Sequence, residues 1–182
     1  FNKNMHKIIK IEDTTTDRNL TADDSGALVI LRATGGATDI QLPPAVPVNS
    51  DGDVLGSNEG VYYEFMINEA TDGAITIEAK DGTDFFVGSV GDIETATPSN
   101  VAFNGSSHDE LVIASGAAIG HVYLKIVCDG DNWCVSGYAH DVSDVSANTS
   151  SGNTITTPTR MNLSDSGALA ASQKVSCSGT SP

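Results

Sequence analysis

Asp-Ser-Gly occurs twice in this chain of 182 residues, within "NLTADDSGAL" at residues 19–28 and within "NLSDSGAL" at residues 162–169. Two such aspartates are the raw material of an aspartic protease, in which paired carboxylates in an apolar cradle share one proton. The flanks speak against that chemistry. Asp23 precedes Asp24, Ser164 precedes Asp165, and both copies run on into Ala-Leu instead of hydroxyl residues. The chain is also short for a two-lobed enzyme of that kind. Both copies are therefore expected to be turns that introduce a strand or an extended segment, with Asp and Ser bonding local backbone and Gly taking the strained angle.

Other reactive residue types are similarly scattered. "GSVG" at residues 88–91 is one residue short of the G-x-S-x-G nucleophile elbow and reads as a turn. His6, His108, His121 and His140 lack the paired spacing of a transition-metal site, so no metal ligands are assigned. Calcium suits carboxylate loops better, and "NSDGDV" at 49–54 and "DGDN" at 129–132 each place two acids two residues apart. Neither completes an EF-hand loop, so hairpin chemistry is the expectation and no cofactor is assigned. Cys128 and Cys134 bracket "DGDNW": they face each other across a five-residue loop and point to opposite faces across a four-residue one. Cys177 is expected to be free or intermolecular. Asn-x-Ser/Thr triplets at Asn19, Asn104, Asn148 and Asn162 are what so much Asn, Ser and Thr produces by chance.

The elements that position these residues read as strands. Short apolar or alternating runs lie between clusters of Gly, Asp, Asn, Ser and Pro, which is strand-and-turn patterning. Strands are expected at 27–32, 38–42, 61–67, 74–79, 84–87, 100–103, 110–114, 121–128 and 133–138. Turn residues that tolerate positive φ stand at Gly73, Gly82, Asn104-Gly105 and 129–132. "LPPAVP" and the polar stretch 49–60 mark a longer loop, since Pro withholds a ladder donor. No helix is required. The expected fold is all-β, an antiparallel β-sandwich or jelly roll over residues 18–138. Residues 1–17 form an N-terminal arm or edge strand, and 139–182 an extended Ser/Thr-rich tail too polar to build a core alone.

The formal charge is −15, from 24 acids against 9 bases. Such a surface repels nucleic-acid phosphates and anionic membranes, so neither is an expected partner. It suits solubility in salty water, where self-repulsion is screened. No apolar run reaches the roughly 18 residues of a bilayer-spanning helix, and "FNKNMHKIIKIEDTTT" lacks an apolar signal-peptide core.

Taken in order, "NLTADDSGALVIL", "ATDIQLPPA", "GVYYEFMI", "AITIEAKDGTDFFVG" and "HVYLKIVCDGDNWCVSGY" resemble a β-rich module recurrent in tailed-phage virion proteins. There an L-T-x-x-D-S-G start leads into a strand, a second strand ends in L-P, and a closing hairpin reads D-G-x-x-W-x-V-x-G. The likeness spans Leu20 to Tyr138, and each element alone is generic turn-and-strand chemistry. It implies a non-enzymatic virion role: a capsid decoration or cement protein on the capsid surface, with the major capsid protein as partner and a homotrimer as the expected state.

Within that expectation the basic arm would face the partner, through Lys3, Lys7, Ile8, Ile9, Lys10 and Ile11. Trp133, the single tryptophan, is expected in the core, with Val135 and Gly137 on its face and Cys134, Ser136 and Tyr138 opposite. Two alternatives stand beside this reading. One is a tail-fibre or cell-surface carbohydrate-binding module using Tyr62, Tyr63 and Tyr138; the other is an extracellular filament subunit joined by strand donation. The second Asp-Ser-Gly copy, in the tail, would then begin a strand that a neighbouring chain completes.

Overall fold

The structure is a computed structural model, and it describes residues 7–11, 17–32, 37–67, 72–79, 84–93, 99–117 and 121–148. Their alternating sequence folds as alternation demands. Twelve strands form and, among the described residues, no α-helix: β1 Ile8–Ile11, β2 Arg18–Asn19, β3 Ala27–Leu31, β4 Thr38–Gln41, β5 Tyr62–Ile67, β6 Ile75–Glu78, β7 Phe86–Asp92, β8 Asn100–Asn104, β9 Glu110–Ile113, β10 Val122–Cys128, β11 Trp133–Ala139 and β12 Val145–Asn148. In β10 the set Val122, Leu124, Ile126 and Cys128 turns inward, and in β3 the set Ala27, Val29 and Leu31 does so.

The strands divide into a seven-stranded sheet, β1-β3-β5-β10-β11-β7-β8, and a five-stranded sheet, β12-β9-β6-β4-β2. Inward side chains of both belong to one buried cluster that includes Val29, Phe65, Leu124 and Trp133 from the first sheet and Ile40, Ile77 and Leu111 from the second. From β1 to β7 the chain alternates between the sheets at every step. Neighbours within a sheet are then separated by a strand of the opposite sheet and run the same way. Thus β1, β3 and β5 pair in parallel, as do β2, β4 and β6. The strand in the other sheet does the work a crossover helix does in α/β folds.

This corrects the antiparallel expectation: both sheets are mixed. Among the described strands, antiparallel pairing joins β5–β10, β10–β11, β7–β8, β6–β9 and β9–β12, while β7 lies parallel to β11. Residues expected at the start of the tail instead complete β11 at Ala139 and supply β12, whose Val145 and Ala147 enter the core. Residues 149–182, with the second Asp-Ser-Gly copy, lie outside the described residues.

The reading of residues 88–91 as a turn is also corrected. They lie inside β7, where Gly88 at φ +121° faces the Val135 carbonyl so closely that a Cβ would sit 2.2 Å from its oxygen. Glycine serves there for close approach of two backbones and not for chain reversal.

Candidate functional site

The Asp24 carboxylate sits in a short 3-10 turn, Ala22–Asp24, and is almost wholly buried. Its Oδ2 accepts from the Thr21 backbone N–H and hydroxyl, both at 3.0 Å, closing a reciprocal cap of the kind that satisfies orphan donors at a helical start. Its Oδ1 accepts from the Lys7 ammonium. The Lys7 hydrogen bond, aided by those from Thr21, holds the Asp24 carboxyl below its ordinary range against the opposing effect of burial. Ser25 Oγ accepts from Tyr62 N at 3.2 Å, and Gly26, at φ +81°, donates its N–H to Tyr62 O at 2.8 Å. In this copy of Asp-Ser-Gly, each residue fastens the start of β3 to β1 or β5.

The other quoted stretches converge on the same end of the molecule. Leu20 N donates to Gln41 O at 2.8 Å, Gly60 N to Cys128 O at 2.9 Å, and the Tyr63 hydroxyl to Thr21 O at 2.7 Å. The Tyr63 and Trp133 rings lie 6.0 Å apart, both fully buried. Burial, with smaller contributions from Asp24 and Cys128, pushes the Tyr63 hydroxyl far above its ordinary range, so it stays a donor. Between the Asn19–Thr21 segment and the prolines after β4 lies an open groove of about 400 Å³, lined by Leu20, Thr21, Leu42, Pro43, Pro44 and Pro47 among others.

The residues expected to face a partner are divided by the pleat. Ile9 and Ile11 are in the core, Ile8 and Lys10 point outward, and Lys7 reaches Asp24. Lys3 lies outside the described residues. The segment is thus the edge strand of the larger sheet.

The acidic loops expected to make hairpin turns do so. Asn49 Oδ1 accepts from the N–H groups of Asp51 and Asp53, and Asp129 Oδ1 from those of Asp131 and Asn132. Among the described residues no group of three or more His, Cys, Asp or Glu is placed to hold a metal ion. The loop between β10 and β11 is four residues long, so Cys128 pairs with Trp133 in register and points inward while Cys134 points outward; both thiols are free. Trp133 is in the core, with Val135 on its face, as expected.

Of the tyrosines considered for carbohydrate, Tyr63 is wholly buried, which removes it from any surface site. Tyr138 stacks on Tyr123 at 5.9 Å, and Tyr62 lies under the Lys125 ammonium at 4.8 Å. His121 and His140 stack at 4.0 Å, with His121 Nδ1 3.6 Å from Asp144 Oδ2. Their proximity follows from the pairing of Val122 with Ala139 and had no signal in their spacing along the chain. Sequence reasoning also passed over the apolar residues Val48, Val54 and Leu55, which stand exposed in a loop otherwise made of Asn, Ser, Asp and Gly. Apolar residues amid turn formers were the available signal.

Comparison with protein-family models, with curated proteins and with solved structures finds no match to this chain.

Proposed function

We propose that this protein is a non-enzymatic virion component of a tailed phage, a decoration or cement protein that binds the capsid exterior and reinforces subunit junctions. The observation that carries the proposal is the convergence just described. The stretches that resemble the virion module are far apart in the chain, yet they touch: "NLTADDSG" bonds to "QLPP" through Leu20 N and Gln41 O and to "GVYY" through Thr21, Ser25 and Gly26, and Trp133 of "DGDNW" packs its ring against Tyr63. A single building block carrying all four stretches would require them to meet in this way.

The two sheets over one core are read here as a β-sandwich. Their parallel pairings favour it over a jelly roll, whose strands alternate in direction. Such a domain would act by interface area spread over its edges, with the major capsid protein as partner and a homotrimer as its working state. Localisation on the particle tests this. Virions labelled with an antibody against the chain are expected to carry label over the capsid exterior; label on the tail, on free filaments, or on no particle overturns it.

A further inference from the structure

We propose that two copies of this chain, free in solution, pack the outer faces of their seven-stranded sheets against each other about a two-fold axis. This concerns the chain away from any particle and goes beyond the capsid reading.

The two outer faces of the molecule are built differently. In β4, β6, β9 and β12 the outward positions carry polar groups such as Asp39, Thr76, Glu78, Glu110 and Ser146, and Val112 is the one apolar side chain among them. That is the alternation of a sheet face left in water. The larger sheet alternates in burial but not in polarity: its outward positions carry Ile30 of β3, Tyr62 and Met66 of β5, Tyr123 and Val127 of β10, and Tyr138 of β11. In register, Ile30, Met66, Tyr123 and Tyr138 form one apolar row across four strands. Strands β5, β10 and β11 are each paired on both sides, so the row is held by the ladders at the middle of the sheet and not by an edge or a loop. Its side chains are half-buried by their neighbours, and Tyr138 is 38% exposed. A contiguous apolar surface of this kind marks a contact.

The charges of the face select a second copy as its occupant. At −15, two copies that meet through most of their surface set acids against acids. On β5 and β10, at the middle of this face, the outward charges are one of each sign, Glu64 and Lys125, cross-strand partners in register. The Tyr123 hydroxyl bonds to Glu64, and the Lys125 ammonium lies 4.8 Å from the centre of the Tyr62 ring. A carboxylate accepts several hydrogen bonds and an ammonium donates three, so each can add a partner to the one it has. A two-fold axis running along the strands between β5 and β10 sets Glu64 of each copy over Lys125 of the other, Met66 over Tyr123, and Ile30 over Tyr138. Opposite charges and apolar rows then meet twice, which is the self-complementarity of an isologous contact. Strands of four to seven residues, at about 3.3 Å per residue and 4.8 Å between strands, give the seven-stranded face roughly 600 Å² in projection. Two such faces come to about 1,200 Å², which reaches the range of specific protein contacts.

The test uses the purified full chain in sedimentation equilibrium. Wild type is expected to pass from monomer to dimer with rising concentration. Tyr138→Ser is expected to weaken the dimer at least about tenfold. Lys125→Glu and Glu64→Lys are each expected to weaken it, and an equimolar mixture of the two proteins to pair again, because every facing pair in the mixed dimer is once more of opposite sign. Glu110→Gln, on the outer face of the smaller sheet, is expected to dimerise like wild type. Near-ultraviolet circular dichroism around Trp133 confirms that each variant is folded. A wild type that stays monomeric up to about 1 mM, well past the range of specific contacts, overturns the proposal. So do a folded Tyr138→Ser that dimerises like wild type, charge-reversed proteins that fail to rescue each other, or a Glu110→Gln that weakens the dimer as much as Tyr138→Ser. None of these outcomes bears on where the protein sits on a particle.

Discussion

The Lys7 ammonium is bonded to the Asp24 carboxylate, and the pair ties the edge strand β1 to the turn that begins β3. An arm meant only for a partner would not be fastened in this way. Removing residues 1–13 would take Ile9 and Ile11 out of the core and leave Asp24 without its cation, so the outward residues Ile8 and Lys10 are the proper probes of binding.

The Asp24 pair predicts an acid-side loss of stability. The carboxyl is held below its ordinary value when folded, so its contribution is complete above the unfolded value near 3.8 and disappears as pH falls through the folded one. Asp24→Ala, which also removes the cap, is expected to cost about 1–2 kcal/mol at pH 7. Lys7→Ala is expected to cost less than about 1 kcal/mol, since the Lys7 side chain is half exposed. Urea unfolding followed by Trp133 fluorescence reads both, and equal stability of Asp24→Ala and wild type at pH 7 would refute the structural role.

Gly137 predicts a large steric cost. At φ +152° it lies so close to β10 that a Cβ would stand 2.1 Å from Tyr123 O and 2.9 Å from Leu124 Cα. Gly137→Ala is expected to destabilise by at least about 2–3 kcal/mol. Gly91→Ala is the control, because its nearest neighbour would be 3.9 Å away at an ordinary φ. Thermal unfolding compares them, and similar melting temperatures would contradict the close strand approach.

Glu78 and Glu110 stand opposite each other in register on β6 and β9. Burial first, and then neighbouring acids including Asp39 and Asp109, push both carboxyls above their ordinary range. A raised folded value means that stability falls as pH climbs from about 4.5, the unfolded value, through the folded one. Glu110→Gln is expected to stabilise by about 0.5–1 kcal/mol at pH 7, the scale of a like-charge cross-strand pair. The gain should shrink toward pH 4; a gain independent of pH would point to another cause.

His108 predicts a loss of stability in mild acid. It is buried, its Nδ1 accepts from Asn104 N at 3.1 Å, and its Nε2 has no hydrogen-bond partner. An Nδ1 that accepts requires the neutral ring, and burial lowers the folded value despite Asp109 nearby. The unfolded chain therefore binds the proton more readily, and stability declines as pH drops below about 6.5 toward the folded value. Unfolding free energies measured between pH 5 and 7.5 are expected to slope in wild type and to flatten in His108→Leu, while an equal slope in both would exclude His108 as the source.

Much of the fold is legible along the chain because a half-buried strand must alternate. The run "VYLKIVC" announces β10, and "DGDN" announces the turn to β11, whose Asp129 bonds two following N–H groups. Other features carried no local mark. β12 reads as polar tail because only Val145 and Ala147 face inward, and they find their shelter on β9, more than thirty residues earlier. Gly88 looks like a turn glycine until β11 is laid beside it.

The opening motif shows where the division falls. Its residue types alone determine that "TADDSG" turns: Thr and Asp cap, and Gly adopts a positive φ, all within six residues. Which groups the turn then holds, Lys7 on one side and Tyr62 on the other, was decided only when the chain alternated between two sheets and brought β1, β3 and β5 together in parallel. Local bonds depend on neighbours in sequence and can be read there. Parallel pairing joins segments whose connection passes through the other sheet, and its direction is set by how both sheets close over a shared core.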